Sequence, residues 1–132
     1  MKILIRIILI SVVVIIVGLI GYFVYLKATY IDDTVLAGEA YGFKIGDTQE
    51  ETYFRTKNAF DSQAVFILFP LDKNGYGPHK ELKFTDEEFN ILREREKWEF
   101  FFDDGFFDSL KLTFKNGKLT SIHRHRQKFE LP

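Results

Sequence analysis

The chain of 132 residues contains no cysteine. That absence excludes disulfides, thiol catalysis and a lipid-attachment cysteine, so the fold must stand on packing alone. Charge is missing from one long stretch: Ile7 to Leu26, IILISVVVIIVGLIGYFVYL, has no Asp, Glu, Lys or Arg. A basic surface of the kind that grips nucleic acid is missing too. Of 18 Lys+Arg, only Lys2, Arg6 and Lys27 precede Ala28, which leaves 15 against all 19 Asp+Glu and a net charge of −4 for the remainder. No serine sits in a nucleophile elbow, and no glycine loop is followed by the Lys-Ser/Thr that holds a phosphate. Outside the apolar run there is no internal repeat or low-complexity tract.

What is present begins with that run. Twenty helical residues rise about 30 Å, the thickness of a bilayer hydrocarbon core. Lys2 and Arg6 flank Ile7 on one side, while Lys27, Asp32 and Asp33 follow Leu26 on the other. The positive-inside bias expects a cytoplasmic N-terminus and an exported C-terminal part, at the inner membrane and facing the periplasm. Tyr22, Tyr25 and Tyr30 read as interfacial anchors. A cleaved signal peptide is the competing reading, but it has a shorter apolar region and small residues at its cleavage site, where this chain has YFVYLKATY. The organisation expected is a signal anchor over 1–27, a polar linker over 28–39 and an α+β domain over 40–132.

Within that domain, Tyr41 to Ile45 reads as a short extended step bounded by Gly38, Gly42 and Gly46. Thr48-x-x-Glu51 is a capping box that opens a helix to about Phe60, with Tyr53, Thr56 and Phe60 inward. Ala64 to Phe69 reads as a buried strand stopped by Pro70, and LDKNGYGPH as a loop. Thr85-x-x-Glu88 is a second capping box opening DEEFNILREREK, a short helix with Phe89 and Leu92 inward. Trp98–Phe102 is a strand, with Trp98, Phe100 and Phe102 on one face and Phe101 on the other. Asp103-Asp104-Gly105 is a turn. SLKLTFKNGKLTSIHRHR is a β-hairpin about Asn116-Gly117, the two positive-φ positions of a type I′ turn. Regular pairing from that turn places Phe114 opposite Leu119, Leu112 opposite Ser121 and Leu110 opposite His123.

IGDTQEETYFRT, followed later by WEFFF and LKLTFKNGKLTSI, is similar to the SmpA/OmlA (BamE-like) family. It also resembles the wider group of domains like the β-lactamase inhibitor protein. The resemblance implies short helices packed on one face of a small antiparallel sheet that ends in a hairpin. It implies work by protein binding, without catalysis or cofactor. The chain departs from the family pattern at Thr52 and Thr56, where apolar residues are usual, and in having no lipidation cysteine. The stretch from Pro70 to Lys97 looks like an insertion.

Chemistry-bearing residues are few. On a strand, His123 and His125 share a face, and a metal site there needs a third ligand, from His79 or a carboxylate. Arg124, Arg126 and Lys128 nearby oppose a cation, so the pair reads as solvated histidines and no metal is assigned. The acids at Gln49–Glu51 and Asp86–Glu88 are explained by capping, and the acids around Asp103 lack the alternating ligands of a calcium loop. Among the aromatics, Phe101, Phe106 and Phe107 are the candidates for a protein-binding patch. The reading is a membrane-anchored, non-catalytic extracytoplasmic binding module. It would act as an envelope scaffold or assembly factor, or as an immunity or inhibitor-type protein, and its partner would be an envelope protein or an incoming effector. The reading from a different class is a metal-binding sensor or hydrolase using His123 and His125.

Overall fold

The structure, a computed structural model, describes residues 1–60, 65–70, 79–81, 85–102 and 107–128; side chains are described for these except at 2, 59–60, 65–70 and 79–81. The chain divides into two units, Met1–Tyr30 and Ile31–Pro132. The first is one helix, α1 (Lys2–Thr29), about 42 Å long at 1.5 Å per residue. Nearly all of its apolar side chains are exposed, and it is long and apolar enough to cross a membrane. The Thr29 hydroxyl donates back to the Tyr25 carbonyl at 2.9 Å, and Tyr30 turns extended to end the helix.

The second unit is α+β. Its strands are β1 (Ile31–Val35), β2 (Glu39–Ala40), β3 (Phe43–Lys44), β4 (Val65–Pro70), β5 (His79–Glu81), β6 (Lys97–Phe102), β7 (Phe107–Lys115) and β8 (Lys118–Gln127). Two helices join them, α2 (Gln49–Phe60) and α3 (Asp86–Arg93). Among the described residues, six strands form one antiparallel sheet in the order β1-β8-β7-β6-β4-β5, and β2 and β3 form a separate hairpin. The inner face carries the core: Trp98, Phe100, Leu110, Leu112, Phe114, Leu119 and Ile122, with Phe43 from β3, Tyr53 from α2 and Leu92 from α3. The alternation in β7, buried at every second residue, shows a sheet packed on one side and wet on the other.

Local chemistry makes the helices. Thr48 and Glu51 cap α2 reciprocally: the Thr48 amide donates to Glu51 Oε2 at 2.8 Å, and the Glu51 amide donates to Thr48 Oγ1 at 3.2 Å. Thr85 caps α3 by accepting from the Glu88 amide at 3.3 Å. The Tyr53 hydroxyl then donates to the Thr85 carbonyl at 3.0 Å, and the Trp98 indole donates to the Leu92 carbonyl at 3.0 Å. Both ends of a two-turn helix are thus held by side chains from its neighbours, which suits a helix too short to be stable alone. Thr52 and Thr56 are fully buried, and their hydroxyls donate to the carbonyls of Thr48 and Thr52, each at 2.8 Å. Both are therefore inward positions whose polar atoms are satisfied within the helix.

Several expectations are corrected. Residues 31–35 lie within the expected linker but form β1, paired with β8 from Ile31↔Arg126 to Val35↔Ile122. The extended step at Tyr41 is a tight hairpin, with Tyr41 (φ 54) and Gly42 (φ 83) at its two turn positions. α3 ends at Arg93, because Lys97 already belongs to β6. β5 begins at His79, the last residue of the expected loop, and continues where sequence reading placed no element.

The hairpin register is the most consequential correction. Phe114 faces Leu119 as expected, but an irregularity follows, and Leu112 faces Ile122 while Leu110 faces Arg124. Thr120 is the extra residue, and its hydroxyl donates to the Thr113 carbonyl at 3.1 Å. Regular pairing would aim Ser121 and His123 at the core beside Leu119. The bulge puts Ile122 there instead and turns His123 and His125 to the outer face. The expected positions at Ala64, in the loop after Pro70, at Asp103-Asp104-Gly105 and at Phe106 lie outside the described residues, as does the side chain of Phe60.

Candidate functional site

The bulge gives β8 two chemically distinct faces. Inward, Arg124 and Arg126 lie on the same side as Asp108, the Cα partner of Arg126. Asp108 is buried, and its Oδ2 accepts from Arg124 Nη2 and lies 3.5 Å from Arg126 Nε. The Arg124 guanidinium also stacks over Phe102, 4.4 Å from the ring centroid, with Tyr41 at 5.6 Å on β2–β3. Tyr41 in turn donates its hydroxyl to Asp33 at 3.0 Å. Burial, then that bond and the negative charge of Asp33, push the Tyr41 hydroxyl above its usual pKa, while Arg124 opposes the shift. This inner cluster holds the β2–β3 hairpin against the sheet. Its charges answer one another, so it reads as architecture.

Outward, Asp32 of β1 is the Cα partner of His125, and Thr34 is the Cα partner of His123. Asp32 Oδ1 lies 3.4 Å from His123 Nε2 and 3.9 Å from His125 Nδ1. The other ring nitrogen of His123, Nδ1, is 2.9 Å from the Thr34 hydroxyl oxygen. One donor atom from each of Asp32, His123 and His125 can be chosen so that all lie within 4.8 Å of one another. All three side chains remain partly open to solvent. Sequence reading had the two histidines but not Asp32 or Thr34. The only signal was three β-branched residues in IDDTV, too short a run to reveal a strand.

Two of the three charges that opposed a cation in the sequence, the arginines, are placed otherwise in the fold. Arg124 and Arg126 face the opposite side of the sheet with Asp108. Lys111, the Cα partner of His123, sets its ammonium 3.6 Å from Glu99, its neighbour on β6.

Two of the three aromatic candidates, Phe101 and Phe107, occupy the same outer face. Phe101 is 37% exposed, opposite Ser109 of β7, and Phe107 is 50% exposed, opposite Gln127. Trp98 and Phe100 are fully buried on the other face, as the alternation in WEFFF requires. Phe106 cannot be placed beside them, since it lies outside the described residues. No family model, curated protein or solved structure matches the chain.

Proposed function

We propose that the chain is a single-pass inner-membrane protein whose C-terminal unit, on the periplasmic side, binds another protein through the outer face of its sheet. The observation that carries this reading is the asymmetry of the sheet. The inner face is closed by α2, α3 and β3, whereas the outer face leaves Phe101 and Phe107 exposed among charged and hydroxyl side chains. Exposed aromatics within a polar surround are the composition of interface hot spots. The uncharged run of α1 supports the anchor, and Lys2 and Arg6 support its orientation.

The kinship with SmpA/OmlA-type domains is part of the proposal. Its support is that the two quoted motifs meet in space: the Gly46 amide donates to the Leu119 carbonyl and the Leu119 amide to the Asp47 carbonyl, each at 2.8 Å. The test is photo-crosslinking in native membranes from a reactive residue at Phe101, Phe107 or, as a control, Phe54, which is exposed on α2. The reading expects one shared adduct from the first two positions and none from the third. Equal, diffuse labelling from all three would overturn it.

A further inference from the structure

We propose that Asp32, His123 and His125 bind one divalent transition-metal ion of the Zn²⁺ type, clipping edge strand β1 to β8. Three observations support this. The donor set is two imidazoles and one carboxylate, the combination that holds Zn²⁺ in open sites with three protein ligands and an outward water.

The spacing is close to what the ion needs. Donors about 2.0–2.1 Å from a tetrahedral ion lie about 3.3 Å from one another. Asp32 and His123 are already 3.4 Å apart, and Asp32 and His125 are 3.9 Å apart. All three donors lie within 4.8 Å of one another, and rotation of the partly exposed side chains would supply the remaining contraction.

The third observation concerns orientation. Metal-bound histidines nearly always give their other ring nitrogen to a hydrogen-bond partner, which fixes tautomer and ring plane. Thr34 Oγ1 stands at 2.9 Å from His123 Nδ1, leaving Nε2 to face Asp32 and the ion. Thr34 reaches this position because it lies two residues from Asp32 on the same face of β1. The strand that follows α1 in the chain therefore supplies both a ligand and the group that orients another.

The site also has a structural use. β1 is an edge strand with three of its five residues exposed, and a bound ion adds a stronger tie to the side-chain contacts it already makes with β8. Binding to the folded state alone raises stability by mass action.

The experiment uses the full chain, without an affinity tag, in detergent micelles, titrated with Zn²⁺ alone. Calorimetry and thermal unfolding are read together with imidazole ¹⁵N NMR. The proposal expects one ion per chain, a higher melting temperature, and shifts of a ring nitrogen in both His123 and His125 but not in His79. D32N and the double variant H123Q/H125Q should lose the saturable site, whereas H79Q should keep it. T34V, which keeps strand propensity, should weaken binding by about 10- to 100-fold. The NMR arm stands on the wild-type chain, so a variant that folds poorly leaves it intact. Absence of a one-to-one site, or binding that survives D32N, overturns the proposal.

Discussion

Asp108 and Arg124 meet on the inner face although they are not opposite one another: Asp108 pairs with Arg126, and Arg124 reaches it along the diagonal from the Leu110 position. The carboxylate is 1% exposed. A charge in that position is tolerable only with its counter-charges in place. Asp108→Ala should therefore cost about 3–5 kcal/mol, since it leaves Arg124 and Arg126 without that partner. The double change D108L/R124M should recover much of the loss. Denaturant unfolding of the full chain in micelles measures both, and a D108A variant as stable as wild type would show that the cluster holds nothing together.

The bulge makes a prediction about deletions. Removing Thr120 restores regular pairing after Phe114↔Leu119 while keeping Ile122 inward and His123 outward. Its loss should cost no more than its hydrogen bond to Thr113, about 0.5–1.5 kcal/mol. Deleting His123 instead moves Arg124 and Arg126 to the outer face and strands Asp108. That variant should fail to give a cooperative melt.

Thr52 and Thr56 each donate to a backbone carbonyl of their own helix. A valine has nearly the same shape and leaves no buried donor behind. T52V and T56V should each change stability by less than about 1 kcal/mol, since both sites are fully buried. A loss above 2 kcal/mol, on the order of a stranded polar group, would mean the hydroxyls do more than satisfy themselves.

Alkaline and acid limbs should differ in origin. Burial, with Asp33 acting on Tyr41 and with Asp86 and Glu88 on Tyr53, raises the pKa of both hydroxyls in the folded chain. The folded state then holds protons that the unfolded chain releases, so stability falls as pH rises through 10.0, the ordinary tyrosine value, toward the folded values. Y41F with Y53F should flatten that limb. Glu51 behaves oppositely: its bonds from the Thr48 amide and then the Thr48 hydroxyl lower its pKa, so its contribution is full above the ordinary carboxyl value and lost as pH falls through the folded one. E51Q should remove that part of the acid limb.

The proposed topology is checked with C-terminal reporters. A reporter active only after export should be active, and one active only in the cytoplasm should be silent. Exchanging Lys2 and Arg6 for Glu should reduce the exported fraction, because the flanking positive charge sets orientation. A cytoplasmic reporter active in the wild-type fusion would reverse the assignment.

Much of the architecture could be read from residues close together in the chain. The uncharged run, the two threonine caps and the Asn116-Gly117 turn each depend on geometry within a few residues, where steric and hydrogen-bonding rules are strong. The faces of WEFFF and of β7 follow from alternation alone. Three features did not follow, and each needs a distant partner. β1 exists as a strand because residues 31–35 meet 122–126, far along the chain, and IDDTV carries no period to announce it. The bulge at Thr120 exists because Ile122 belongs under the helices, a preference of the packed core that regular pairing cannot express. From those two facts comes the third: His123 and His125, written in the sequence as a solvated pair among arginines, stand across from Asp32 with the arginines on the other side of the sheet.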